Sequence, residues 1–193
     1  MPSEPETART AASARGGVSD ERLVARLRRG DLAAFDQLYR RYHMRLFGYV
    51  RRYVHERALA EDLFQDVFMT VLRDRTFDPE RGRFAPWLFR VARNRCLQET
   101  RMRSVRTRRA ALVEPAPEPA PDPEQALSRS SRVQAAMAGL SEAHRQVLVL
   151  KQVAELTYGE IAALLGIAEG TAKSRVHAAT RSLRARLVEL GES

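Results

Sequence analysis

Cysteine occurs once in the 193 residues, at position 96, so no internal disulfide and no multi-thiolate metal site can be built. The four histidines, His43, His55, His144 and His177, are scattered without ligand spacing, which argues against metal chemistry. No stretch approaches the roughly 18 consecutive apolar residues of a membrane span. The opening segment "MPSEPETARTAASARGGVSD" has no apolar core after its charges and is not a secretory signal. No alternating strand pattern of useful length appears, nor any nucleophile–base pair or phosphate loop. These absences point to a non-enzymatic, all-α protein of a reducing cytoplasm, with no cofactor and no metal.

What is present is positive charge, unevenly spread. The net formal charge is +9, yet residues 73–109 alone hold 12 arginines against Asp74, Asp78, Glu80 and Glu99. Residues 110–125 carry four acids and no base. A concentrated basic block is the electrostatic footprint of a polyanion-binding protein, most often one that binds nucleic acid. A solvated helix face is the alternative for a lone charge run.

Residues 114–125, "EPAPEPAPDPEQ", place proline at every second position from 115 to 123. Proline lacks the amide donor and clashes with a preceding helical turn, so this stretch is expected to be an extended linker. The expected organisation is a disordered tail over 1–18, a helical domain over 19–109, an acidic Pro-rich linker over 110–125 and a second small helical domain over 126–190. In the first domain, Ser19 and Asp20 can cap one helix that Gly30 stops, and Asp31 caps a long amphipathic run. "ALAEDLFQDVFMTVLRD" makes a third helix. Pro86 suits a first helical position, opening "PWLFRVARNRCLQETRMR". In the second domain, Ser141 opens a helix and Thr157 with Glu160 forms a T-x-x-E capping box. Gly166 turns the chain into a last long helix, with Ile161, Leu164, Leu165, Val176, Leu183 and Leu187 expected to face inward.

Three faces carry chemistry. The segment "TYGEIAALLGIAEGTAKSRVHAA" reads as a helix-turn-helix whose second helix buries Val176 and Ala179. Its Lys173, Ser174 and His177 are spaced to reach base edges, while Arg175 and Arg181 reach phosphates. An ordinary helical hairpin with a basic face is the alternative. The third helix groups Glu61, Asp62, Gln65 and Asp66, because residues three and four apart share a side. Such an acidic face repels DNA and suits a protein partner with arginines. The fourth helix and the loop before it interleave Phe77, Phe84, Trp87 and Phe89 with Arg81, Arg83, Arg90, Arg93, Arg95 and Arg101. Rings that stack on bases among arginines that hold the backbone give the chemistry of single-strand capture. Trp87 is assigned to the core. Asn94, among the arginines, has an amide able to read an unstacked base edge or to face solvent.

The segments "AEDLFQDVFMTVLR", "GRFAPWLFRVARNRCLQETRMR" and "LTYGEIAALLGIAEGTAKSRVHAATRSL" resemble, in order and spacing, the signatures of bacterial sigma factors of the extracytoplasmic-function group of the sigma-70 family. The resemblance covers about residues 20–105 and 127–188. It implies a protein that binds core RNA polymerase, directs it to −35 and −10 promoter elements and helps melt the DNA. It also implies that Asp62, Gln65, Asp66 and Phe68, beside Glu61, dock on the clamp helices of the largest polymerase subunit. Phe77, Arg83, Phe84, Arg90, Arg93, Asn94 and Arg101 fall in the segment that opens the −10 element and captures a flipped base, with Asn94 at the base pocket. Thr171, Lys173, Ser174, Arg175, His177 and Arg181 fall on the helix that reads the −35 duplex. Ala178 and Thr180 stand where the family often has arginine, and Ala168 replaces a common serine cap, weakening that helix start. No segment resembles an added inhibitory domain, which points control toward a separate anti-sigma factor. A stand-alone helix-turn-helix regulator remains the alternative. It accounts for the second domain and the charge but leaves the acidic helix unexplained.

Overall fold

The computed structural model describes residues 17–54, 56–111 and 129–191. Residues 1–16 of the expected tail and 112–125 of the expected linker lie outside the described residues. Eight helices and no strand occur among the described residues: α1 (Asp20–Leu27), α2 (Leu32–Arg51), α3 (Arg57–Arg73), α4 (Phe84–Ala111), α5 (Arg129–Ala138), α6 (Glu142–Gln152), α7 (Tyr158–Leu165) and α8 (Glu169–Glu189). The expected all-α class holds. No helix among the described residues is long and apolar enough to cross a membrane.

Most boundaries follow from capping groups. Ser19 accepts from the Arg22 amide to start α1, and Asp31 accepts from Ala34 to start α2. Each oxygen satisfies an amide that has no partner within its helix. Gly30, with φ of 91°, takes the left-handed conformation that separates the two helices. The Arg26 guanidinium pairs with Asp31 at 2.7 Å. Its hydrogen bond holds the Asp31 carboxyl below the ordinary carboxylate range.

Helix α4 starts two residues before the expected Pro86 and runs eight beyond the expected Arg103, to Ala111. Pro86 is tolerated because it sits in the first turn, where amides have no intrahelical acceptor. The missing cap comes from another helix, as the Phe84 amide donates to Glu21 Oε1 of α1 at 3.1 Å. At the far end no glycine or proline intervenes before Pro115, so good helix formers carry the helix onward.

The front module packs α1 on α2, α2 on α3, and α4 across both α2 and α3. Phe84, Leu88, Ala92 and Cys96 recur every four residues and are all buried, forming the inner stripe of α4. They meet Leu38, Tyr42, Leu46 and Tyr49 of α2 and Leu63 and Val67 of α3. Burial pushes the Cys96 thiol up to about 12. Tyr42 donates to Asp20, and desolvation together with the neighbouring Asp20 charge pushes its phenol up. In the rear module α5, α6 and α7 all pack on α8. The buried apolar residues run continuously from one module into the other.

The Glu21 cap has a measurable consequence. Glu21→Ala is expected to lower unfolding free energy by about 1 kcal/mol, the usual cost of a lost cap. Glu21→Gln, which keeps an acceptor oxygen, should lose less. Urea unfolding of both variants checks this, and an equal midpoint for Glu21→Ala and the unaltered protein contradicts it.

Candidate nucleic-acid and polymerase interfaces

Helix α3 buries Ala60, Leu63, Val67, Phe68 and Val71 and turns the opposite side outward. Asp62, Gln65 and Asp66 are exposed and Glu61 is half-buried, so four of the five residues assigned to a protein partner share one open face. Glu61 pairs with Arg57 one turn back at 2.8 Å, and Asp66 approaches Arg95 of α4 at 4.0 Å. The fifth, Phe68, is a correction. It is 4% exposed and its ring packs on Phe35, Tyr39 and Phe64, with centroids 5.9, 4.9 and 5.0 Å away. It supports the face from beneath, where an aromatic ring buries more apolar area than it could at the rim.

The residues assigned to strand capture divide in the same way. Phe77 and Phe84 are 5% and 1% exposed, which corrects their reading as stacking platforms. Phe84 packs edge-on against Tyr42 and Phe77, and both phenylalanines lean on Trp87, itself buried. Arg28, just after α1, holds this loop by donating to the carbonyls of Arg75 and Phe77. The loop rings are therefore a foundation, and the polar residues are the surface.

That surface is a stripe along α4. Arg90, Asn94 and Arg101 follow at spacings of four and seven, which places them on one side of the helix. All three are exposed, and Arg93 is half-buried beside them. Arg93, Asn94, Leu97, Gln98, Arg101 and Met102 line an open groove of about 380 Å³. The Arg93 Nε is buried with no hydrogen-bond partner. Arg83, at the start of α4, lies apart from this groove and pairs with Glu160 of α7 at 2.5 Å.

In the rear module Thr157 accepts from the Glu160 amide while the Glu160 carboxylate accepts from the Thr157 amide at 2.8 Å. This is the reciprocal capping box read from the sequence. Gly166, with φ of 69°, makes the left-handed turn. Ala168 stands at the start of α8 with no side-chain cap, as expected of alanine. Ala172, Val176 and Ala179 are buried, which leaves Lys173, Ser174, His177 and Arg181 exposed and Thr171 and Arg175 half-buried. Ser174 donates to the Thr171 carbonyl at 3.0 Å, and Thr180 donates to Val176 at 2.8 Å. Lys151 of α6 lies 4.7 Å over the Tyr158 ring, whose centroid is 6.4 Å from His177. Leu164 and Leu165 are only half-buried, and Leu164 opens toward α4.

Sequence reading missed two residues that the structure makes prominent. Arg45 of α2 donates to the carbonyls of Val153 and Ala154 and pairs with Glu155 at 3.4 Å. Glu160 was read only as a cap. In both cases the partner lies far along the chain, and local pattern carries no signal for it.

The fold is that of a helical, two-part protein with a helix-turn-helix in its rear part and a separate acidic face on α3. Residues 38–106 match sigma-70 region 2 and residues 130–183 match sigma-70, region 4. The chain is 35% identical over 170 residues to the RNA polymerase sigma factor CarQ of Myxococcus xanthus, covering 86% of this chain and 97% of that one. It is 30% identical to the ECF RNA polymerase sigma factor SigK of Mycobacterium tuberculosis (strain H37Rv), over 84% of this chain and 90% of that protein. Among solved structures it is similar to CnrH in complex with the cytosolic domain of CnrY, with a TM-score of 0.65 and 28% identity over 90% of this chain and 99% of that one. The chain belongs to the sigma-70 family, in its ECF group. It is a promoter-directing subunit of RNA polymerase, not an enzyme.

The turn in the helix-turn-helix can be tested directly. Nothing lies within 4 Å of a Cβ placed on Gly166, so only the backbone conformation resists substitution. Gly166→Ala is expected to cost about 1 kcal/mol, since an L side chain disfavours the left-handed region. Gly166→Asn should cost less, because asparagine tolerates that region. Thermal unfolding ranks the two variants, and equal losses contradict the explanation.

Proposed function

We propose that the acidic face of α3 docks on the clamp helices of the largest polymerase subunit and that the α4 stripe holds the unpaired −10 strand. The N-terminal half of α8 reads the −35 duplex. On this reading region 2 occupies the front module and region 4 the rear one, and the protein acts in the cytoplasm with its polymerase. The observation that carries the reading is the sorting of charge between neighbouring helices. Asp62 and Asp66 occupy the outer side of α3, whereas Arg90, Asn94 and Arg101 occupy a side of α4. Carboxylates repel phosphates, so α3 is suited to a basic protein surface and α4 to a nucleic-acid backbone.

Melting then follows from differential binding. A closed duplex offers the α4 groove only phosphates. A separated strand offers phosphates and base edges, which arginines and the Asn94 amide can both engage. The added contacts offset an unstacking cost of a few kcal/mol per base. The buried, unpartnered Arg93 Nε–H is a donor that a strand in this groove would satisfy. The buried rings at Phe77, Phe84 and Trp87 keep the start of α4 rigid while this happens. The similar protein CnrH was solved in complex with the cytosolic domain of CnrY, and on this reading a protein partner also controls this chain.

Reversing both charges, Asp62→Arg with Asp66→Arg, is expected to abolish assembly with core polymerase while the helical circular dichroism is retained. Polymerase affinity unchanged in a gel-filtration or pull-down assay contradicts the docking assignment. Asn94→Ala is expected to reduce open-complex formation in run-off transcription at least tenfold, about 1.4 kcal/mol, with −35 binding by the holoenzyme preserved. Normal permanganate reactivity at the −10 element would overturn the base-pocket role.

A further inference from the structure

Three helices of the rear module each send one side chain to a single spot beside the proposed −35 face. Lys151 comes from the end of α6, Tyr158 from the first turn of α7 and His177 from the middle of α8. Lys151 Nζ donates to the Leu156 carbonyl at 3.1 Å and lies 4.7 Å over the Tyr158 ring. The centroid of the same ring is 6.4 Å from that of His177, with the two planes inclined by 35°. That separation is within the range at which paired rings interact.

Each member of the series is fixed before the next. The reciprocal Thr157–Glu160 box secures the first turn of α7, on which Tyr158 stands, half-buried against the core. The Leu156 carbonyl holds Lys151, whose charge is attracted to the electron-rich face of the Tyr158 ring. Gly159 lets α8 come close, since a Cβ there would meet the Glu169 carboxylate at 3.4 Å. His177 is exposed and, among the described residues, makes no hydrogen bond or ion pair. Contact with the Tyr158 ring restrains it.

That restraint bears on how a base is read. An imidazole carries its two nitrogens in the ring plane, with ring carbons between them. A hydrogen bond to a base edge in the major groove needs that plane aligned with the base, because the bond weakens steeply as it bends. A ring free to turn about χ2 presents nitrogen and carbon alternately and discriminates poorly between bases.

We infer that Tyr158 is a positioning residue for promoter choice: it sets the plane of the His177 imidazole and, through it, the base preferred at one position of the −35 element. Lys151 steadies the Tyr158 ring in this task. The inference rests on the reading of α8 as the −35 helix. Orientation of this kind changes the ratio of affinities between bases rather than the affinity for all of them.

The test uses the holoenzyme, assembled from the full chain and core polymerase, with promoter duplexes carrying each of the four bases at every −35 position in turn. His177→Ala identifies the position, as the one where the ratio between best and worst base falls at least about fivefold, the low end for a lost base contact. Tyr158→Leu, which keeps apolar bulk on the core, is expected to lower that ratio at the same position at least about threefold, with the poorest base bound within about twofold of before. Tyr158→Phe retains the ring and should retain the preference. Tyr158→Leu/His177→Ala should discriminate no less than His177→Ala alone, since the two side chains act as a unit. Lys151→Met removes the charge beside the ring and should give a smaller fall, which keeps the test open if thermal unfolding shows that Tyr158→Leu does not fold. An unchanged ratio in both Tyr158→Leu and Lys151→Met overturns the positioning role, as does a loss of affinity equal for all four bases. A double variant less discriminating than His177→Ala also overturns it, because Tyr158 would then act on its own. If His177→Ala alters no position while Lys173→Ala or Ser174→Ala does, the −35 reading stands and the inference fails. If none of the three alters any position, both fail.

Discussion

Burial of one side of α4 is the constraint on which the molecule depends. Phe84, Leu88, Ala92 and Cys96 form a single inner stripe, each 1% exposed or less, against α2 and α3. A helix pinned in this way leaves its other side no choice of orientation. Arg90, Asn94 and Arg101 are therefore presented as a row on a rigid support, and on the proposed reading their side chains alone lose freedom when a strand binds. An isolated helix this rich in arginine would also have to be ordered at the moment of binding, which weakens affinity. The aromatic residues serve the support. A ring buried at Phe77 or Phe84 contributes far more through apolar area removed from water than through one exposed stacking contact.

The second module solves a different problem, that of holding a short helix. Eight residues are too few to make α7 stable alone. Its start is secured by the Thr157–Glu160 box, its end by Gly166, and its inner side by Ile161 against α8. With α7 fixed, α8 can forgo a side-chain cap at Ala168 and leave its first turns polar. The stack of Lys151, Tyr158 and His177 ties α6, the start of α7 and α8 together near those first turns.

Helix order and most starts were legible in the sequence because the signals are local. Ser19, Asp31, Ser141 and Thr157 each announce a helix within three residues of the amide they bond. The start of α4 was misread because its cap, Glu21, comes from 63 residues away. The charged faces were legible too, since three-and-four spacing puts Asp62 with Asp66 and Arg90 with Asn94 and Arg101. The rings at Phe68, Phe77 and Phe84 were misassigned because composition cannot distinguish an aromatic beneath a face from one upon it. A signal did exist for Phe84, which lies on the same four-residue series as Leu88, Ala92 and Cys96. Phe77 sits in a loop without periodicity and offered none.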